Sequence, residues 1–499
     1  MQYTSTRAKI SVSPAKAVID GISREGGLYV PAELPKVSQQ WIEELQSLPY
    51  YERAAKVLSL FFTDFSKEQM QQMCRDAYST ERFDDEKIAP LHKVAENAYY
   101  LELFHGPTQA FKDMALQMLP RLMSASMKLT GAEKETVILV ATSGDTGKAA
   151  LEGFRDVDGT RVIVFYPHGG VSAAQRLQMV TQRGKNVHAC AVRGNFDDTQ
   201  TGVKKIFGDE GFAAEAAQMD KALSSANSIN FGRLAPQIAY YFSAYADLLA
   251  EKAVKIGEKV NFCVPTGNFG NILACEYARR MGLPVGKMIC ASNSNNVLTD
   301  FINTGKYDAK RVFHKTISPS MDILISSNVE RLLFELCGRD EAEVSAMMKS
   351  LVETGEYNLP ENASAELLQL FHGAWVDDER TKEEIRRAFS ETGYLIDTHT
   401  AVASAVYEDY KNATGDKTPT VVVSTASPYK FAGDVLSALR DDNSPIDEIA
   451  AADCLESFTG SKMPPALKEL RDLAELHLGV CDVDQMKETV KSFLGGNQK

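Results

Sequence analysis

From Thr136 onward the apolar residues gather into short unbroken runs, each followed by a stretch whose apolar positions recur at helical spacing. Val137-Ile-Leu-Val-Ala141 precedes a helical stretch from Thr146, and Arg161-Val-Ile-Val-Phe-Tyr166 precedes one from Ala174 to Gln182. Val187-His-Ala-Cys-Ala-Val192 precedes a third, from Thr199 to Gly208. A strand with one wet face alternates apolar and polar side chains, whereas a continuous apolar strand belongs to a parallel sheet covered on both faces by helical crossovers. The pattern resumes at Val260-Asn-Phe-Cys-Val264, with a helix from Ile272 to Met281, then at Met288-Ile-Cys-Ala291 and Thr420-Val-Val-Val-Ser424. This alternation predicts an α/β fold with mostly parallel sheets. The first hundred residues differ. Lys36 to Met73 carries short amphipathic helical stretches such as Trp41-Ile-Glu-Glu-Leu-Gln-Ser-Leu, punctuated by prolines. Beyond Ser444 the chain is more polar and helical, from Pro465 to His477 and from Val483 to Phe493, and reads as a packing extension.

Two βα blocks predict two doubly wound lobes. The expected division is a helical N-terminal domain over 1–95, a larger lobe from 96–135 and 235–499 that includes the C-terminal extension, and a smaller lobe over 136–234. In doubly wound folds ligands bind beyond the carboxyl ends of the strands. The loops Ser143–Gly147, Gly267–Asn271 and Thr425–Lys430 all follow strands in that sense, which predicts one cleft shared between the lobes.

Composition narrows the function. The chain has 499 residues, 44% hydrophobic and 24% charged, with a net charge of −13. That size allows about three domains and a large core. An acidic protein repels nucleic-acid phosphates and anionic lipid, so neither nucleic acid nor membrane is an expected partner. A small anionic substrate would need a local cationic pocket working against the global field. The eight cysteines are scattered without a C-x-x-C pair and read as buried free thiols. The N-terminus has no apolar h-region and no apolar run reaches eighteen residues, which points to the cytosol. The eight histidines show no H-x-x-x-H spacing, so no metal site is expected. Oligomeric state is not legible.

The chemistry begins at Gly106-Pro-Thr-Gln-Ala-Phe-Lys-Asp-Met-Ala-Leu-Gln117. Lys112 lies between a turn and an apolar-faced helix, with Phe111, Met114 and Ala115 crowding its stem. Lost hydration lowers a lysine pKa and frees the amine to form a Schiff base with an aldehyde cofactor. A second segment, Pro265-Thr-Gly-Asn-Phe-Gly-Asn-Ile272, runs from a strand into a helix. Gly267 and Gly270 let the backbone approach an anion, and the free N–H groups at the helix start point at it. The loop lacks the Lys-Ser/Thr of a nucleotide P-loop and suits one phosphate. A Schiff-base lysine and a monophosphate cradle are the two handles of pyridoxal 5′-phosphate.

Six motifs in order then resemble the threonine synthase family of fold type II pyridoxal-phosphate enzymes. They are Gly26-Gly-Leu-Tyr-Val-Pro31, Phe104-His-Gly-Pro-Thr-Gln-Ala-Phe-Lys-Asp113, Thr142-Ser-Gly-Asp-Thr-Gly147, Gly267-Asn-Phe-Gly-Asn271, Asp397-Thr-His-Thr-Ala-Val402 and Thr425-Ala-Ser-Pro-Tyr-Lys-Phe431. The resemblance implies that Lys112 carries the cofactor and shuttles protons. It implies that Gly267, Asn268, Phe269, Gly270 and Asn271 hold its phosphate, with the Asn side chains adding donors. The Phe269 side chain divides between core packing and the cofactor face. Thr425 would be the hydroxyl partner of the pyridine nitrogen, a neutral contact that suits elimination and replacement over transamination.

Ser143, Gly144, Asp145 and Thr146 open a helix, where Ser, Asp and Thr are ordinary caps; by resemblance this loop also holds the substrate carboxylate. Asp145 stands where many relatives have an asparagine on the cofactor's 3′-oxygen; it accepts a proton from that oxygen, or repels it if both are ionised. His105 and His399 read as structural imidazoles. Lys148 and Arg176 are the cations considered for the substrate phosphate.

The implied reaction converts O-phospho-L-homoserine and water to L-threonine and phosphate by γ-elimination and then β-addition. Lys112 would remove the Cα proton, and the released phosphate is a candidate base for the added water. The alternatives are another fold type II lyase, such as a threonine dehydratase-like enzyme, or a catalytically silent relative that binds phosphorylated ligands.

Overall fold

The computed structural model describes residues 1–132, 134–142, 144–440 and 447–495. Ser143 lies outside the described residues. Two sheets organise the chain. The larger has six strands in the order Phe371–Trp375, Val285–Ser292, Val260–Pro265, Thr420–Ser424, Ala98–Glu102 and Leu91–Ala95. All neighbours run parallel except the final Leu91–Ala95/Ala98–Glu102 hairpin. The smaller sheet has five parallel strands in the order Val480–Asp482, Val187–Arg193, Thr160–Pro167, Glu135–Ala141 and Lys221–Ser224. The architecture is the α/β fold that the apolar runs predict.

The runs explain the sheets. Val137, Ile138, Leu139 and Val140 are all fully buried, as are Val162, Ile163, Val164 and Phe165 beside them. Each such side chain contributes about 1.5–3 kcal/mol on leaving water, and helices cover both faces. Behind the larger sheet the helix Phe231–Ala250 is buried along nearly its whole length. The N-terminal segment packs on its outer side. Tyr3 and Phe61 set their rings 5.1 and 5.7 Å from that of Phe231. Arg331 reaches across to donate to the Tyr29 carbonyl at 3.0 and 3.1 Å.

Several features differ from the sequence expectations, among them Leu91–Ala95, which falls within the expected N-terminal domain but pairs with Ala98–Glu102 in the larger sheet. Phe371–Trp375, an unforeseen strand, forms one edge of the larger sheet. The helical stretch expected from Pro465 to His477 ends at Asp472, because the Leu476 and His477 N–H groups bond the Val180 carbonyl and draw the chain out straight. The extension was grouped with the larger lobe, yet Val480–Asp482 pairs with Val187–Arg193 and so completes the smaller sheet.

Candidate active site

Lys112 owes its position to a compact loop. The Asp113 carboxylate accepts the Thr108 N–H and hydroxyl, each at 2.8 Å. Its burial pushes its pKa up to about 6. A Cβ on Gly106 would lie 2.5 Å from Cβ of Asp113, so only glycine permits this closure. The loop is then stitched to the segment after Thr420–Ser424. Phe111 N–H donates to the Thr425 carbonyl at 2.8 Å, Ser427 N–H donates to the Gln109 carbonyl at 3.1 Å, and Ala110 bridges Ala426. Backbone contacts therefore fix the bases of Lys112 and Thr425 relative to each other.

The Lys112 side chain is 11% exposed. Its Nζ lies 3.5 Å from Asp145 Oδ2, 3.4 Å from Ser320 Oγ and 4.8 Å from the Phe111 ring centre. Burial lowers its pKa, Asp145 pulls the other way, and the Lys430 and Arg233 charges add to the lowering. A buried amine with one shared carboxylate is primed to act as a nucleophile or a base.

Asp145 opens the helix Asp145–Phe154, after the strand Glu135–Ala141. The turn between them is tight: Gly144 has φ 141°, and its added Cβ would meet Gln175 at 2.3 Å. Thr142 Oγ1 accepts the Gly144 and Gly147 N–H groups at 3.0 Å, so Thr142 satisfies the helix start. Asp145 Oδ1 accepts from Lys430 Nζ at 2.7 Å and from Gln175 Nε2 at 3.0 Å. Burial would raise its pKa, but the charges of Lys430 and Lys112 and these hydrogen bonds prevail and hold it well below the usual carboxylate range. Thr146 is half-buried at the same turn.

The second loop, Pro265–Asn271, enters the helix Gly270–Met281 through Phe269, which takes a left-handed φ of 64°. That conformation costs a non-glycine residue about 1–2 kcal/mol. Full burial of the ring against Phe371, with centres 6.0 Å apart, compensates. The Phe269 side chain is therefore core, and only its backbone is left to face a ligand. Gly267 is pressed against the turn Pro319–Met321: an added Cβ would sit 2.5 Å from the Ser320 carbonyl oxygen. Asn271 Nδ2 donates to the Pro265 carbonyl at 2.8 Å, so its side chain closes the loop and is not the extra donor that the sequence reading expected. Asn268 is exposed, and its carbonyl accepts from the Asn328 side chain at 3.1 Å.

Thr425 is buried, and among the described residues its hydroxyl has no hydrogen-bond partner. His399 holds the Ser320 turn: its Nε2 accepts the Ser320 N–H at 3.1 Å, so its ring proton is on Nδ1 and donates to Asp397 Oδ2 at 2.8 Å. His105 donates to Asp84 and Glu102 at 2.6 and 2.7 Å. The two cations considered for a substrate phosphate are engaged elsewhere. Lys148 bonds Gln182 beside Glu152, and Arg176 forms a two-point pair with Glu475 at 2.9 and 2.6 Å.

The sequence reading missed Arg233, Ser320 and the role of Lys430. Arg233 is buried and coupled electrostatically to Lys112, and its guanidinium donates to the Ala226 carbonyl at 2.9 Å. Among the described residues no carboxylate pairs with it, and burial lowers its pKa to about 10. The available signal was compositional: Arg233 is the one charged residue between Phe231 and Asp247 in a long apolar helix.

These groups fit pyridoxal 5′-phosphate. The amine, the partnerless Thr425 hydroxyl and the glycine loop at a twelve-residue helix start match its aldehyde, its ring nitrogen and its phosphate. Among the described residues no cluster of His, Cys, Asp and Glu is arranged to hold a metal ion.

Comparison with known proteins agrees. Residues 86–371 match the family model described as pyridoxal-phosphate dependent enzyme. Residues 2–78 match that of the threonine synthase N terminus, and 400–494 that of the threonine synthase C-terminal region. Fold and site thus define a pyridoxal-phosphate dependent enzyme. Threonine synthase from Pseudomonas aeruginosa is 39% identical over 433 residues, 86% of this chain and 89% of that protein. A PLP-bound threonine synthase from Brucella melitensis superposes with a TM-score of 0.88 at 36% identity, covering 99% of this chain and 100% of that one. Threonine synthase-like 1 from Homo sapiens is 38% identical over 96% of this chain, which spans 66% of that relative's length. The chain belongs to the threonine synthase family, and its cofactor is pyridoxal 5′-phosphate.

Proposed function

We propose that the chain converts O-phospho-L-homoserine and water to L-threonine and phosphate, a carbon–oxygen lyase reaction acting on phosphate. The observation that carries this reading is a cluster of buried cations, in which Lys112 and Lys430 share the Asp145 carboxylate and the Arg233 charge is felt at Lys112, in a chain with a net charge of −13. That excess of buried positive charge is the local pocket an anionic substrate requires, since a phosphate buried without partners is prohibitively unfavourable.

Bound, the cofactor supplies an aldehyde for covalent capture and a ring that delocalises negative charge from Cα. The chain's own residues do the rest. Lys112 Nζ, displaced by the substrate amine, would take the Cα proton and then a Cβ proton as the Cγ–O bond to phosphate breaks, return a proton at Cγ, and, after water has added its hydroxyl at Cβ, return a proton at Cα. Backbone N–H groups of Gly267 to Asn271 hold the cofactor phosphate at the helix start. Thr425 Oγ1 meets the ring nitrogen without donating a permanent charge. The helix start at Gly144, Asp145 and Thr146 receives the substrate carboxylate, and Arg233 receives its phosphate. Ser320, whose backbone N–H is held by His399, steadies the Lys112 amine through its Oγ.

The test uses purified holoenzyme and O-phospho-L-homoserine. Release of phosphate with threonine as the matching product, lost together with the visible cofactor band in Lys112→Ala, is the expected result. A 2-oxo acid as main product, or no phosphate release, would overturn the reading.

A further inference from the structure

A lysine with no exposed surface is unusual, because its ammonium must find its partners inside the protein. Lys430 is such a residue, with a side chain 0% exposed. Its Nζ lies 2.7 Å from Asp145 Oδ1 and donates to the Thr108 carbonyl at 2.8 Å. It sits on the turn Pro428–Phe431, just after Thr425. Thr108 belongs to the Lys112 loop, and Asp145 opens a helix of the smaller sheet. Lys430 thus ties three elements at one point. The contacts also divide the carboxylate. Oδ1 is taken by Lys430 and by Gln175 at 3.0 Å, which leaves Oδ2 facing Lys112 Nζ at 3.5 Å.

We propose that Lys430 is a positioning residue that turns Asp145 Oδ2 to the Lys112 nitrogen, and that its own positive charge, felt at the Lys112–Asp145 pair whether or not Asp145 is ionised, sets the pH at which that nitrogen gives up its proton. The inference rests on Lys112 being the cofactor lysine. The groups that face this nitrogen are Asp145, Lys430, Arg233, the Ser320 hydroxyl and the Phe111 ring. Lys112 and Asp145 bind protons as a coupled pair, and a fixed positive charge beside the pair weakens its hold on a proton wherever that proton resides. Removing Lys430 therefore raises the apparent pKa of the pair, whereas removing the Asp145 charge lowers it. Lys430→Arg keeps the charge and restores the wild-type value. A lysine serving only as a packing pillar would change melting temperature without moving this midpoint.

The experiment is a pH titration of the visible Lys112–cofactor band in the holoenzyme. Lys430→Met is expected to shift the midpoint upward by at least one pH unit, tenfold in proton affinity, and Asp145→Asn to shift it downward. The double variant should lie at least one unit above Asp145→Asn. If Lys430→Met folds poorly, the comparison of Asp145→Asn with the double variant decides the matter alone. Equal midpoints in wild type and Lys430→Met, or in Asp145→Asn and the double variant, overturn the proposal. Absence of any visible band in the wild type defeats the reading of Lys112 instead, and the proposal with it.

Discussion

Two strand-to-helix turns are linked to Lys112, one directly through Asp145 and the other through Ser320, and they handle negative charge in opposite ways. Each follows a parallel strand, opens a helix and passes through one residue of positive φ: Gly144 at 141° in one, Phe269 at 64° in the other. The turn of the smaller sheet carries a buried carboxylate, Asp145, which two lysines must balance. The turn of the larger sheet carries no formal charge, and it offers backbone N–H groups from a loop clamped against Ser320 and Asn328. A charged turn tunes proton chemistry and fails when its balance is broken. A neutral turn binds an anion by proximity, and fails when anything intervenes.

The largest effect should come from upsetting the charged turn. Asp145→Ala leaves Lys112 and Lys430 buried without their shared carboxylate, and breaking a buried ion pair by removing one partner costs about 3–5 kcal/mol. Thermal unfolding should show that loss, and a melting curve like that of the wild type would refute the charge balance. Steric intrusion separates the two turns next. In Gly267→Ala the new Cβ would press on the Ser320 carbonyl, costing about 1–3 kcal/mol of overpacking. Cofactor affinity should fall at least as much as stability. Gly144→Ala strikes the Gln175 amide instead, so the cofactor should stay bound while the KM for substrate rises. If both variants lose cofactor equally, the turns do not divide the labour as described.

Arg233→Met tests the buried cation whose charge is felt at Lys112. A hydrogen-bonded charge on phosphate is worth about 1.5–3 kcal/mol, so KM for the phosphorylated substrate should rise by about 10–100-fold, with cofactor affinity unchanged. The smallest effect lies outside both turns. Burial depresses the His105 pKa, but its bonds to Asp84 and Glu102 prevail and lift it from 6.5 to about 9. That stabilisation is fully present below about 6.5 and is lost as pH rises through about 9. His105→Gln should remove the slope, worth about 1 kcal/mol after screening at the exposed Asp84. An unchanged slope would discount the pair.

The strands and the turns that follow them were legible because continuous apolar runs have one favourable fate, and because glycine at a strand–helix junction has few purposes. The burial of Lys112 was legible for a similarly local reason, since its neighbours Phe111, Met114 and Ala115 are apolar. Tertiary contacts hid the rest. Arg233 lies in an apolar helix far along the chain from Lys112, and only folding shows that its charge is felt there. Ser320 is delivered by a turn that His399 holds in place. Lys148 and Arg176 follow Asp145 in sequence, but Gln182 and Glu475 claim them. Phe269 could point either way until its partner, Phe371, was supplied by an unforeseen edge strand. The C-terminal extension read as helix up to His477, because no local signal announces a strand that forms only against Val187–Arg193.

The proposed chemistry requires a covalent link between Lys112 and the cofactor, with Lys430 holding the shared carboxylate and forming no such link. Borohydride reduction of the holoenzyme followed by peptide mapping tests this most directly. The predicted result is a single pyridoxyl label on Lys112; a label on Lys430, on any other lysine, or on none would contradict it.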